Sequence, residues 1–173
     1  MTGVAYLKNR KLEFWLTLIL LSAVIISSIA AYVFWYKLTS FFVGSYLFIH
    51  WLSIVATAFV AVSIPIYCVL KRKRPQNYKT LLRIHTFGNL LAFWLISTHF
   101  AQNVGRLAGA LQRLGTGFAL YPVLVVIMAT GIVDRYQTIG KLSKYIKFLH
   151  KYMVIILYVL LLLHAFEGFN ILL

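Results

Sequence analysis

Two stretches decide the fold: residues 85–99, which read HTFGNLLAFWLISTH, and residues 150–164, which read HKYMVIILYVLLLLH. Each stretch begins and ends with a histidine, and Lys151 is the only charged residue in either of them. Fourteen residues of α-helix make about four turns and rise about 21 Å, so both histidines of a stretch return to nearly the same helix face. The spacing predicts two long apolar helices, each with one histidine toward either end.

The composition of the chain indicates that these helices lie in a membrane. Of the 173 residues, 62% are hydrophobic and only 12% are charged, which departs far from soluble averages. We predict an all-α integral membrane protein in which residues 1–173 form one transmembrane domain. Five apolar segments have lengths suited to the hydrocarbon core. They are Phe14–Tyr36, Phe41–Leu70, Leu81–Val104, Gly117–Val133 and Phe148–Ile171.

Two of these spans carry further expectations. Phe41–Leu70 is longer than an upright span requires, so we expect it to tilt or to run partly along the interface. The fifth span is expected to be the weakest by hydropathy, because Lys151 and Glu167 leave only Tyr152–Phe166 free of charge. Charges at helix ends are tolerated because long side chains can reach the interface.

The basic residues alternate along the chain in the way that sets membrane topology. The formal net charge is +14, and fourteen of the seventeen Lys and Arg fall in three segments. These hold Lys8, Arg10 and Lys11; Lys71, Arg72, Lys73, Arg74, Lys79 and Arg83; and Arg135, Lys141, Lys144, Lys147 and Lys151. The intervening segments hold only Lys37, Arg106 and Arg113. This asymmetry predicts an N-terminus inside and a C-terminus outside, with basic loops on anionic lipid and no nucleic-acid partner.

That topology brings the four spaced histidines together in pairs. Spans three and five run in the same direction, so His85 and His150 fall near the cytoplasmic side, and His99 and His164 near the outer side. Two facing imidazoles are the axial ligands of a six-coordinate haem iron. Fourteen-residue spacing on one helix excludes a tetrahedral zinc site, which needs close ligands. The pattern predicts two b-type haems, whereas His50, alone in span two, is expected to be a packing residue.

Other residues are candidates for contact with these haems. Gly88 and its small neighbours would let a macrocycle approach the third helix. Arg83 and Lys151 flank the inner histidines and Arg106 lies beyond His99, so these three are candidate partners of haem propionates; each serves equally well as an interfacial topology signal. Cys68 is the only cysteine, so a haem would be held without covalent thioether bonds.

The paired histidines resemble those of two groups of di-haem membrane cytochromes. One is the ferric reductase-like transmembrane family, which includes the membrane haem domain of NADPH oxidases and the haem-binding subunit of periplasmic methionine sulfoxide reductase. The other is the cytochrome b of quinol-oxidising complexes. Residues 83–168 look more like the first group, whose third and fifth spans hold the ligands. Typical members have six spans and many carry a C-terminal flavin and nicotinamide domain, whereas five spans and no nucleotide fingerprint are expected here.

The expected function is transmembrane electron transfer, without a catalytic residue of its own. The electron donor would be a separate cytoplasmic flavoprotein or a quinol, the acceptor would lie outside, and an oligomer or larger complex is possible. Three alternatives remain open at this stage. They are a quinol-reactive anchor subunit of a respiratory complex, a membrane protein that transports or handles haem, and an anchor without cofactor whose histidines merely pack.

Overall fold

The chain forms an all-α bundle, as the sequence predicts. The computed structural model describes residues 3–34, 41–106, 115–136 and 142–168, with side chains from residue 11 onward. Five helices lie in this part of the chain. They are α1 (Gly3–Val33), α2 (Phe48–Lys73), α3 (Tyr78–Arg106), α4 (Gly117–Tyr136) and α5 (Ser143–Gly168). Four of them, all but α3, are long and apolar enough to cross a membrane, so the protein is a multi-pass membrane protein.

Helix α3 is the least apolar of the five, and the expectation that the fifth span is weakest is wrong. α5 meets the length and hydropathy required of a span, whereas α3 does not. The cause is a set of polar residues within α3, of which Asn89, Ser97 and Gln102 are buried inside the bundle. A helix whose polar side chains are covered by neighbouring helices does not expose them to lipid, so lower hydropathy is compatible with a position inside a membrane bundle.

The second span begins later than predicted, because its first residues form a hairpin. Strand β1 (Phe42–Val43) pairs antiparallel with β2 (Tyr46–Leu47), and α2 starts at Phe48. Gly44 occupies the turn with φ of 63°, a left-handed conformation that glycine adopts without steric cost. The indole of Trp51 donates to the carbonyl of Val43 at 2.8 Å. The extra length of the predicted span therefore folds back as a hairpin. The predicted ends of the first and fifth spans, at residues 36 and 171, lie outside the described residues.

Neighbouring helices α3, α4 and α5 alternate in direction. Arg135 Nη1 donates to Thr86 Oγ1 at 3.0 Å, and Tyr121 donates to Ser97 at 3.2 Å. The end of α4 therefore meets the beginning of α3, and the two helices are antiparallel. α5 is antiparallel to α4 through the histidine contacts described below. It follows that α3 and α5, the two helices with paired histidines, are parallel to each other.

The two ends of the bundle differ in charge. We call the end where α1, α3 and α5 begin the basic end, because every described Lys and Arg except Arg106 lies there. The other is called the opposite end. Between them lies one apolar core to which all five helices contribute, formed by Val24, Ala56, Val60, Ile64, Leu90, Ala92, Phe93, Leu124, Ile127 and Leu157. Large apolar side chains such as Ile26 and Val62 face outward, as a lipid-facing surface requires.

Candidate functional site

The four spaced histidines lie at two levels of the bundle. At the basic end His85 of α3 and His150 of α5 are close enough to interact electrostatically. At the opposite end His99 and His164 are likewise close enough to interact electrostatically. Within the described residues α3 packs mainly along α1 and α2, and α4 along α5, whereas α3 and α5 are not packed directly along each other. The arrangement leaves paired imidazoles on two helices that are held apart.

His150 is oriented by the backbone and a hydroxyl group of α4. Its Nδ1 lies 3.1 Å from the carbonyl oxygen of Ile127 and 3.0 Å from Thr130 Oγ1. A carbonyl cannot donate, so Nδ1 carries the proton in this contact. The Thr130 hydroxyl donates its own hydrogen bond to the carbonyl oxygen of Val126, at 2.7 Å. In the neutral ring Nε2 therefore keeps its lone pair, which is the form that binds a metal.

His164 is oriented in the same tautomer by a different set of partners. Its Nδ1 lies 3.0 Å from Thr116 Oγ1, and the same hydroxyl lies 2.5 Å from Glu167 Oε2. An ionised carboxylate only accepts hydrogen bonds, so the hydroxyl donates to Glu167 and accepts from Nδ1–H. Nε2 of His164 is again left with its lone pair. Both histidines of α5 thus have the tautomer that an Nε2 metal ligand requires.

Glycines on α4 give both of these rings the space they occupy. A Cβ atom at Gly131 would lie 3.2 Å from Cε1 of His150, and one at Gly117 would lie 3.2 Å from Cε1 of His164. Each imidazole therefore packs against α4 more closely than a side chain there would comfortably permit. The dipeptide Thr-Gly occurs at residues 116–117 and again at 130–131. This recurrence has the same fourteen-residue period as the histidines, and sequence reasoning missed it.

Asparagines accompany both histidines of α3, each four residues further along the helix. The side-chain amide of Asn89 lies 3.0 Å from Nδ1 of His85 and also bonds Ser63 of α2 at 3.0 Å. Asn103 donates to the backbone carbonyl of His99 at 2.9 Å, and its amide nitrogen lies 3.3 Å from both ring nitrogens. The pattern His-x-x-x-Asn thus repeats with the fourteen-residue period and constrains the rings from their own helix.

Aromatic rings of α2 cover the histidines of α3. Tyr67 stacks on His85 with ring centroids 4.2 Å apart and planes 13° apart. His50 packs edge-on against His99, with centroids 4.9 Å apart. His50, expected to be a packing residue, therefore lies directly beside a candidate ligand. Its Nδ1 is buried without a hydrogen-bond partner among the described residues.

The residues predicted to contact a cofactor lie near the two levels, but with protein partners. Arg83 Nε bonds Glu13 at 2.5 Å, and Arg106 Nη2 donates to Asn103 at 3.0 Å. Lys151 is exposed, with Nζ 5.9 Å from the centroid of the neighbouring Tyr152 ring. Gly88 faces α2, where a Cβ atom would collide with the ring of Phe59. Their roles toward haem stay predictions.

The chemistry of the donor set fits a haem better than a bare metal ion. In the described part of the chain, no cluster of three or more His, Cys, Asp or Glu side chains could hold a metal. A haem iron needs only two protein ligands, since the porphyrin supplies four, and the α5 imidazoles with a free Nε2 suit it. Nδ1 of His85 accepts from the Asn89 amide, so the Nε2 of that neutral ring carries the proton and would have to release it on ligation. No family model matches the chain, and neither a similar curated protein nor a similar solved structure was found.

Proposed function

We propose that the protein is a transmembrane cytochrome that binds two b-type haems and passes electrons from one side of the membrane to the other. His85 and His150 would ligate the haem at the basic end, and His99 and His164 the haem at the opposite end. The observation that carries the proposal is the state of the α5 histidines. Both are fixed by hydrogen bonds at Nδ1, so that a metal-binding Nε2 lone pair is left over at each of two levels.

The parts of the chain have separate tasks in this proposal. A bound haem supplies a centre that accepts and releases one electron, while the protein sets its position and potential. Thr116 and Thr130 hold the α5 ligands in one tautomer, Asn89 and Asn103 orient the α3 ligands, and the apolar core between the levels excludes water. Levels separated by fourteen helical residues lie about 21 Å apart along the axes.

The proposal includes an orientation of the protein in the membrane and the partners in electron transfer. The basic end would face the cytoplasm, because Lys and Arg are retained on that side. The donor would be a separate flavoprotein or a quinol, and the acceptor would lie outside. The resemblance of the histidine pattern to the ferric reductase-like family supports this role.

Haem content tests the proposal directly. Full-length protein purified in detergent should contain close to two b-type haems per chain by pyridine haemochrome, and its spectra should be low-spin in both oxidation states. Four histidines supply four axial positions, which leads to this stoichiometry. A well-folded preparation that contains no haem after expression with excess haem supply would contradict the proposed function.

Single substitutions test the pairing. His85→Ala and His150→Ala should each remove the same haem, and His99→Ala and His164→Ala should each remove the other. The loss is read from redox difference spectra, with circular dichroism as a check that the helices persist. His50→Ala is the matched control and should keep both haems. Loss of one common spectral component in His85→Ala and His99→Ala would show that the parallel pairing is wrong.

A further inference from the structure

The residues Gly115, Thr116 and Gly117 join α4 to two side chains of α5. Glu167 Oε2 accepts hydrogen bonds from both the backbone N–H of Thr116, at 3.0 Å, and its hydroxyl. Gly115 has φ of 53°, and a Cβ atom there would overlap Oε1 of Glu167. Gly117 gives the space for His164 on the other side. The segment therefore seats a carboxylate and an imidazole on opposite sides of one threonine.

The two hydrogen bonds of the Thr116 hydroxyl are both donated in the direction of Glu167. His164 Nδ1–H donates to Thr116 Oγ1, and the threonine hydroxyl donates to Glu167. The start of α4 favours the carboxylate further, since the Thr116 N–H that donates to Glu167 lies at the positive end of the helix dipole. A hydroxyl that donates to an anion becomes a better acceptor, so the Nδ1–H bond is strengthened and Nε2 gains electron density.

The level at the basic end is built on the same plan without the carboxylate. Thr130 and Gly131 take the places of Thr116 and Gly117, but Ala129 stands where the first segment has Gly115. Glu167 lies three residues after His164, and the corresponding position three residues after His150 is Met153. The Thr130 hydroxyl donates to neutral backbone carbonyls instead. The two levels therefore differ in one hydrogen-bonded carboxylate, since Glu167 is linked to His164 through Thr116 whereas Asp134 interacts with His150 electrostatically.

We infer that Glu167 is a positioning residue that acts through Thr116 on His164 and lowers the reduction potential of the metal bound there relative to the other level. This inference rests on the proposed function for its haem. A negative charge linked to the ligand stabilises the oxidised iron, which has the greater positive charge. The hydrogen-bonded carboxylate thereby lowers the potential at one level without acting on the other.

Potentiometric titration of the full-length, haem-loaded protein tests this. Glu167→Gln should favour reduction of the His99–His164 haem by about tenfold, which is about 59 mV for a one-electron couple, and leave the other haem unchanged. Thr116→Val keeps the carboxylate but removes the bridge, so it should shift the same haem in the same direction. Thr116→Ser restores the hydroxyl and should restore the potential. The untouched haem in each variant shows that the bundle is folded.

Two outcomes would overturn the inference. One is an unchanged potential in Thr116→Val, because Glu167 would then act only through space; the other is an equal shift of both haems in Glu167→Gln. A measurement on haem-free protein distinguishes failure of this inference from failure of the proposed function. With ¹⁵N-labelled histidine, His164 should be protonated at Nδ1 in the unmodified chain and should populate both tautomers in Thr116→Val. A mixture of tautomers already present in the unmodified chain would refute the hydrogen-bonded link from His164 through Thr116 to Glu167.

Discussion

At the scale of single residues, small and polar side chains on α4 decide how the α5 histidines are presented. Thr116 and Thr130 bond the Nδ1 atoms, and Gly117 and Gly131 bring the rings against the helix. A ligand whose second nitrogen is held by hydrogen bonds has a defined tautomer and ring plane. In the proposed function, these contacts would present a histidine of an apolar helix as a directed metal ligand.

The glycine contact gives a prediction. Gly131→Ala places a Cβ atom 3.2 Å from Cε1 of His150, so the ring must move from its hydrogen bonds to Thr130 and Ile127. We expect partial loss or a shifted spectrum of the haem at the basic end, although alanine is the better helix former by about 1 kcal/mol. Haem occupancy and the low-spin electron paramagnetic resonance signals provide the measurement.

The matched control for that substitution is Gly168→Ala at the end of α5, where a Cβ atom meets nothing within 4 Å. It should leave both haems intact. Equal spectra for Gly131→Ala and the unmodified protein would mean that the ring has room to spare, and that the glycine is not needed for its placement.

The positions of the histidines could be predicted from the sequence, whereas their partners could not. His85 and His99 share a helix face by period alone, and charge asymmetry predicts that α5 runs parallel to α3. The hydrogen bonds of Thr116 and Thr130 depend on the rotation of α4 against α5, which no single-helix pattern contains. The fourteen-residue recurrence of Thr-Gly was a usable signal, and it is visible only when α4 is compared with the histidine helices.

At the scale of helices, Glu13 joins three of them at the basic end. Its carboxylate pairs with Arg83 of α3 at 2.5 Å and with Arg135 of α4 at 2.6 Å. The side chain of Arg135 is 8% exposed and that of Arg83 is 50% exposed. Tyr136 donates to the carbonyl of Glu13 and contacts Thr17 through the same hydroxyl. A carboxylate in α1 therefore fixes the ends of α3 and α4.

This cluster leads to a contrast between two variants. Glu13→Ala leaves the buried guanidinium of Arg135 without its carboxylate, so we expect a loss of about 3 kcal/mol, the lower end of the range for a buried pair broken on one side. Arg83→Gln removes an exposed pair and should cost about 0–1 kcal/mol. Thermal unfolding in detergent, followed by circular dichroism, compares the two. A loss as large in Arg83→Gln as in Glu13→Ala would contradict the assignment of the buried pair.

The helix-level prediction from sequence was right in kind and wrong in two respects, the start of α2 and the hydropathy of α3. Hydropathy located the apolar helices, because length and lack of charge are properties of one segment. It could not separate Phe41–Leu47 from α2, because a hairpin of aromatic and β-branched residues is as apolar as the helix that follows it. It also overrated α3, whose buried Asn89 and Gln102 are tolerated only because other helices cover them.

At the scale of the whole molecule, the charge difference between the two ends predicts an orientation that labelling can check. In a Cys68→Ser background, Asn77→Cys at the basic end should be protected from an impermeant thiol reagent added to intact cells. Ser45→Cys, at the hairpin turn of the opposite end, should react. Both positions are exposed on the described surface. Reaction at residue 77 and protection at residue 45 would reverse the proposed topology.

Electron transfer across vesicles is the functional prediction at this scale. Haem-loaded protein in sealed vesicles should oxidise an external reductant and reduce an impermeant acceptor trapped inside. His99→Ala, which removes one level, should abolish the transfer, because one remaining haem cannot bridge a hydrocarbon core of about 30 Å. Transfer that survives this substitution would show that the second level is not on the path. Movement of haem itself into the vesicles would favour a haem transporter.

The apolar core between the two levels, formed by side chains such as Val60, Leu90 and Leu157, has an electrical consequence. Electrons would cross this layer while protons and salt ions, which need water or polar groups, would not accompany them. Each turnover would then separate charge across an insulating layer and charge the membrane like a capacitor. Moving one elementary charge across the full membrane against 100 mV costs about 2.3 kcal/mol. We therefore expect turnover in sealed vesicles to slow as the opposing voltage builds, and to recover when valinomycin and potassium ions discharge it.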